Sequence, residues 1–146
     1  MEPLFNLVYL SKSRLGGTEQ TIVEGVKNIL DAANKNNPAM GITGALLYSG
    51  GYFCQVIEGN ADALEELFEV IQRDDRHGDI TVLQFAPIKQ RDFSEWSMAF
   101  AGFQSAPATQ IEGVLESKDA IRMRDTGRNL VSMMDKLVNQ HQSVSD

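Results

Sequence analysis

A glutamine and a tyrosine are the residues of this chain whose types and spacing could do chemistry. Gln55 lies in the strand-forming run Tyr52 to Glu58, where alternation puts Phe53, Gln55 and Ile57 on one face and Cys54 and Val56 on the other. The amide therefore interrupts an apolar face. A buried primary amide carries two donor hydrogens and an acceptor, and each one left unpaired costs about 1–3 kcal/mol. In Leu4 to Ser11, Phe5, Leu7 and Tyr9 share a face, so the Tyr9 phenol can meet Gln55 if the two strands are neighbours. By itself such a pair is a hydrogen bond that satisfies two buried polar groups. Other polar or aromatic positions have plain structural accounts. Asn36 and Asn37 suit a helix end, Trp96 and Met98 fill a core or an edge, and Asp74, Arg76 and His77 form a solvated turn with a local ion pair. The two histidines, His77 and His141, and the single cysteine, Cys54, give little material for a metal cluster or a Ser-His-Asp arrangement. Gly16–Gly17 and Gly50–Gly51 match no phosphate-binding pattern. No metal site and no enzyme activity are expected.

The elements that must position these residues follow from periodicity and punctuation. Leu4 to Ser11 reads as a first strand bounded by Pro3 and Lys12-Ser13-Arg14. Thr18 can cap a helix whose apolar series is Ile22, Val26, Ile29, Leu30 and Ala33, ending near Asn36-Asn37-Pro38 because proline disfavours helix in the residue before it. Gly41 to Tyr48 and Tyr52 to Glu58 form a hairpin about Ser49-Gly50-Gly51. A second helix from about Ala61 to Arg73 has Leu64, Leu67, Phe68 and Ile71 on its apolar face. Ile80 to Ile88 is a fourth strand and Ser97 to Phe103 a fifth. This order predicts an α+β, ferredoxin-like βαββαββ sheet with two helices on one face and C-terminal helices on the other. In that topology the first and third strands are adjacent. Composition changes at Gln104-Ser105-Ala106-Pro107, which divides residues 1–104 from a helical extension, residues 105–146. In the extension Leu130, Met134 and Leu137, with Val131 and Val138, make an apolar stripe that either caps the open sheet face or also serves as an output or oligomer surface.

Composition bounds the function. The 146 residues are 42% hydrophobic and 23% charged, as in one globular domain with an appendage. A net charge of −7, from 13 Lys+Arg against 20 Asp+Glu with no basic runs, argues against direct nucleic-acid binding. No secretory leader or membrane-length apolar run is visible, and a lone cysteine excludes an internal disulfide. The expected compartment is the cytoplasm.

Taken together, several strings resemble the BLUF family of flavin-based blue-light sensors: Leu7-Val8-Tyr9-Leu10-Ser11, Asn36-Asn37-Pro38-Ala39, Gly41-Ile42-Thr43-Gly44, Phe53-Cys54-Gln55-Val56-Ile57-Glu58-Gly59, Asp74-Asp75-Arg76-His77 and Trp96-Ser97-Met98. The likeness runs from about Leu4 to Phe103, and its order and spacing make it specific. It implies a noncovalent flavin, usually FAD, with FMN or riboflavin as alternatives, inserted between the first two helices. Ile29 and Ile71 would flank the ring, Asn37 would bind its polar edge, and Asn36 would lie near the ribityl or phosphate part. Asp74, Arg76 and His77 would lie along its polar side. Tyr9 would give an electron and a proton after excitation, and Gln55 would relay the proton while rotating or tautomerising. Trp96 or Met98, exchanging places beside Gln55, would carry the signal out, with Trp96 a competing electron donor. The interval from Tyr9 to Asn36 is longer than in the family, with the surplus expected in the loop Lys12 to Glu19. With no output domain after the sensor, the expected partner is a separate, unidentified downstream protein, met by a homo-oligomer, dimer or larger, without a membrane. The competing readings are a light-independent ferredoxin-like regulatory or ligand-binding module and a flavin-dependent redox enzyme. The enzyme reading lacks a substrate-facing acid or base.

Overall fold

The computed structural model describes residues 3–104 and 120–144. Its elements run β1 (Leu4–Ser13), α1 (Glu19–Met40), β2 (Thr43–Ser49), β3 (Tyr52–Gly59), α2 (Ala61–Gln72), β4 (His77–Ile88), β5 (Ala99–Gln104) and α3 (Ala120–Val144). One five-stranded sheet has the order β4-β1-β3-β2-β5. The first four strands pair antiparallel, and β5 joins β2 in parallel. This is the ferredoxin-like arrangement with one added strand.

Alternation sorts the sheet into two cores. Leu7, Tyr9, Leu46, Tyr48, Phe53, Ile57 and Met98 pack on the side of α1 and α2 with Val26, Ile42 and Leu64. Val8, Leu10, Ala45, Leu47, Cys54, Val56, Ala99 and Ala101 face the other way. There α3 supplies Leu130, Val131, Met134 and Val138, with Leu137 partly buried. The apolar stripe of the extension thus caps the open sheet face, each buried side chain contributing about 1.5–3 kcal/mol. Of the linker expected at Gln104-Ser105-Ala106-Pro107, Gln104 instead ends β5, and Ser105 to Pro107, with the boundary between residues 1–104 and 105–146, lie outside the described residues, as does the side chain of His141.

Several boundaries move from their expected places, each for a local reason. Strand β1 continues to Ser13, whose N–H bonds the Gly51 carbonyl at 2.8 Å, so the loop before α1 is shorter than Lys12 to Glu19. Thr18 caps α1 as expected, accepting from the Thr21 N–H at 3.2 Å. The helix does not stop at Asn36-Asn37-Pro38 but runs to Met40. It closes on Gly41 at φ 67°, a left-handed position that glycine takes without penalty, with the Ile42 N–H bonded to the Asn37 carbonyl at 3.1 Å. Strand β2 begins at Thr43, and β4 begins at His77, three residues before the expected Ile80. Gly44 lies so close to β3 that a Cβ there would sit 2.1 Å from the Val56 carbonyl oxygen.

Candidate functional site

Tyr9 of β1 is paired directly opposite Gln55 of β3. The phenol donates a short hydrogen bond to Gln55 Oε1, and both side chains are buried, Tyr9 at 3% exposure and Gln55 at 5%. Gln55 Nε2 reaches the Met98 sulfur at 3.5 Å. The phenol requires an acceptor and thioether sulfur offers only a weak one, so this orientation of the amide is the one that gives both ends a partner. The amide nitrogen is left with spare donor capacity.

Tyr9 and Gln55 lie on the floor of a cleft between α1 and α2. Helix α1 contributes Ile29, Ala32, Ala33, Asn36 and Asn37, spaced to share one face. Helix α2 contributes Leu67, Val70 and Ile71, and the sheet adds Leu46 and Phe53. Asp74, Arg76 and His77 complete the wall. Two apolar walls over a floor with polar atoms at its edge suit a flat, largely apolar ring with hydrogen-bonding margins.

The polar margin is built locally. Asn37 is buried at 1% exposure, and its Nδ2 donates to the Ser97 carbonyl at 2.9 Å. Asp74 and Arg76 make a bidentate ion pair with a closest approach of 2.6 Å. The Arg76 guanidinium holds the Asp74 carboxyl below the ordinary carboxylate range. Both groups are partly exposed, so the pair shapes the wall more than it stabilises the fold.

His77 departs from the solvated turn expected of it. It is 8% exposed, with Nε2 2.7 Å from the Ile71 carbonyl and Nδ1 2.7 Å from Ser11 Oγ. A carbonyl can only accept, so Nε2 carries the proton, and in the neutral ring the Ser11 hydroxyl donates to Nδ1. The ring thereby ties the end of α2 to β1, 6.0 Å from the Tyr9 ring centroid.

All nine residues expected at a cofactor (Tyr9, Ile29, Asn36, Asn37, Gln55, Ile71, Asp74, Arg76 and His77) line this cleft. Met98 lies behind Gln55. Trp96 is not brought to the cleft: it packs with the core on the α3 side. Residues two apart share a face only in a regular strand, and here β5 begins at Ala99, after a turn in which the Trp96 N–H bonds the Phe93 carbonyl at 3.1 Å. Ala32, Ala33, Leu46, Phe53, Leu67 and Val70 were not expected at the site. Small and apolar residues on a helix or sheet face carry the same periodic signal whether they meet a core or a ligand.

Burial raises the Tyr9 phenol well above its ordinary range, with Cys54 and Asp74 adding to the effect. It pushes the Cys54 thiol up from 9.0 to about 12. The folded chain therefore keeps protons that the unfolded chain releases, so stability is fully present below the unfolded pKa and falls as pH rises. From about pH 9 to about pH 12 the thiol alone lowers it by up to about 1.4 kcal/mol per pH unit. Urea midpoints should fall as pH rises from 9.0 toward 10.0, the range below the ordinary phenol value, and Cys54→Val should remove most of that slope. An unchanged slope in the variant would show that the thiol is not the group responsible.

The family model described as BLUF, sensors of blue-light using FAD, matches residues 4–99. Photoactivated adenylate cyclase subunit beta of Euglena longa is 39% identical over 74 residues, 50% of this chain and 9% of that protein. The blue light- and temperature-regulated antirepressor BluF of Escherichia coli (strain K12) is 29% identical over 89 residues, 60% of this chain and 21% of that one. The chain thus spans a small part of the curated relatives it matches. Among solved structures, the BLUF protein BlrB in its dark state aligns with TM-score 0.68 and 33% identity, covering 94% of this chain and 96% of that one. The ground state of BlsA aligns with TM-score 0.67 and 28% identity, covering 92% and 87%. With a family model matched from β1 through α1, the Tyr9–Gln55 pair and α2 to the first residue of β5, the chain belongs to the BLUF family of blue-light sensors that use FAD.

Proposed function

We propose that Tyr9 and Gln55 are the photoactive pair of this blue-light sensor, and that the cleft between α1 and α2 holds the flavin. The observation that carries this reading is the buried Tyr9–Gln55 hydrogen bond on the floor of that cleft. Ile29 and Ile71 sandwich the ring from the two helices, and Asn37 and Gln55 supply its polar edge. Asn36, Asp74, Arg76 and His77 line the side toward the ribityl and phosphate groups. FAD is the flavin proposed, in keeping with the family. When bound, the flavin supplies blue-light absorption and, once excited, an electron acceptor.

The protein's own part concerns one proton and one amide. A phenol whose pKa is pushed up by burial does not ionise in the dark. Tyr9 therefore parts with its proton only when it also parts with an electron, and Gln55 Oε1 is the acceptor placed to receive it. Gln55 can then rotate or change tautomer before the electron and the proton return to Tyr9. To act as a switch, the amide needs a second arrangement within a few kcal/mol of this one, with the bound flavin's polar edge supplying the partner that Met98 sulfur does not.

Met98 leads from Gln55 into β5, and β5 is packed against α3, so this strand is the proposed exit for the signal toward a separate effector protein. Two points support a separate effector: the relatives named as cyclases carry the BLUF likeness in a small fraction of their length, whereas the match to BlrB spans nearly all of both chains. A cytoplasmic site is proposed; among the described residues no helix is long and apolar enough to cross a membrane.

The test is an absorption spectrum before and after blue light, followed through dark recovery. A yellow protein with a small, reversible red shift is the expected result. A colourless protein, or a flavin that only bleaches or is reduced, overturns the proposal.

A further inference from the structure

We propose that Asn34 is a positioning residue for the photoreaction, bracketing the Met98 peptide so that its side chain stays against the Gln55 amide. The inference rests on the reading of Gln55 as the photoactive amide and adds a determinant of how long its switched state lasts.

Asn34 is exposed on α1 and lines no part of the cleft. Its side chain nevertheless grips both polar groups of one distant residue. Oδ1 accepts from the Met98 N–H at 3.0 Å, and Nδ2 donates to the Met98 carbonyl at 3.3 Å and to the Leu30 carbonyl at 2.9 Å. One helical turn later, Asn37 holds the Ser97 carbonyl at 2.9 Å. Two amides of α1 therefore fasten consecutive residues at the point where the chain enters β5.

That point precedes the regular pairing of β5. Pairing of β5 with β2 begins at Ala45 with Ala99, and the preceding residues leave a turn whose last tie to β2 is the Gly44 N–H on the Trp96 carbonyl at 3.2 Å. Between those two ties, α1 side chains hold the backbone that presents Met98. Met98 is 3% exposed, and its sulfur meets Gln55 Nε2 at 3.5 Å.

For the Gln55 amide to rotate in a close-packed site, its neighbours must give way. Met98 is the neighbour on the nitrogen side, and its freedom to move is limited by the bracket. Releasing the bracket loosens Met98, lowers the barrier to amide rotation and shortens the life of the red-shifted state. The flavin, the phenol and the amide are untouched.

The experiment compares the flavin-loaded wild-type protein with Asn34→Ala and with Lys35→Ala, a neighbouring exposed position. Asn34→Ala removes both bonds to Met98 and should bind flavin and form the red shift, with dark recovery faster by at least about two- to tenfold, the factor that one ordinary hydrogen bond gives. Exchange of the Met98 amide hydrogen, followed by NMR in the dark, should accelerate in Asn34→Ala and not in Lys35→Ala. Recovery at the wild-type rate, or an unchanged Met98 exchange rate, overturns the proposal. A wild-type protein with no red shift fails the photoreceptor reading instead, whereas a normal wild-type shift with unaltered recovery in Asn34→Ala fails this inference alone.

Discussion

Replacing Gln55 with leucine is expected to leave the flavin bound and to abolish the reversible red shift. Fourteen other residues line the cleft, and leucine approximates the volume of glutamine, so the walls persist. What disappears is the single group that accepts from Tyr9 and can donate elsewhere. The Tyr9 hydroxyl then loses its buried acceptor, which costs about 1–3 kcal/mol, partly offset by burying an apolar side chain. The variant should remain folded, with its melting point lowered by several degrees, and its light-minus-dark difference spectrum should lack the persistent shift. A normal shift in Gln55→Leu would remove Gln55 from the proposed role. Tyr9→Phe should have the same spectral outcome. Trp96, the competing donor expected from the sequence, packs on the opposite side of the sheet and does not replace the phenol at the cleft floor.

The parts of the site that were legible in the sequence are those governed by local periodicity. A period of two placed Phe53, Gln55 and Ile57 together, and Phe5, Leu7 and Tyr9 together, and the order of elements made their strands neighbours. Those two facts put Tyr9 and Gln55 on one face of neighbouring strands, while the register that sets them directly opposite comes from the structure, since a shift of two residues keeps the same face. Asn34 was not legible because an exposed mid-helix asparagine carries no periodic signal, and its partner lies 64 positions away. His77 was misjudged for a similar reason. A turn composition of Asp, Asp, Arg, His and Gly reads as wet, but a bond to the Ile71 carbonyl and another to Ser11 draw the ring inside. The helix that outruns Pro38 shows propensity giving way to tertiary contact, since Asn37 is fixed by Ser97 and the terminus is closed by Gly41.

The same lesson applies to Glu58, where truncation should give the largest loss of stability. Glu58 is fully buried at the end of β3. Its carboxylate accepts from the Asp92 N–H at 2.7 Å, the Phe93 N–H at 3.1 Å and the Thr43 hydroxyl at 2.8 Å. Arg91 braces the cluster through Nη1, which donates to Thr43 Oγ1 at 2.9 Å and to the Glu58 carbonyl at 3.1 Å. The carboxylate thus fastens the start of the turn that ends at Met98, with fully buried Phe93 as its apolar anchor. Glu58→Ala strands two backbone donors, for a loss of about 3 kcal/mol and a melting point lower by roughly 10 °C. Glu58→Gln should lose less, since its oxygen keeps one set of donors while its NH₂ opposes another. Burial outweighs the hydrogen bonds and raises the Glu58 pKa above its ordinary 4.5. The folded state therefore binds this proton more tightly than the unfolded state, and the contribution is fully present below pH 4.5 and is lost as pH rises through the folded value. Asp92, raised by its own burial and by Asp135, adds a slope of the same sign. Melting curves across the mildly acidic range should show wild-type stability falling with rising pH more steeply than that of Glu58→Gln, with the remaining slope belonging to Asp92. A Glu58→Ala variant as stable as wild type would show that the carboxylate does not secure the turn, and equal slopes in wild type and Glu58→Gln would show that burial does not outweigh its hydrogen bonds.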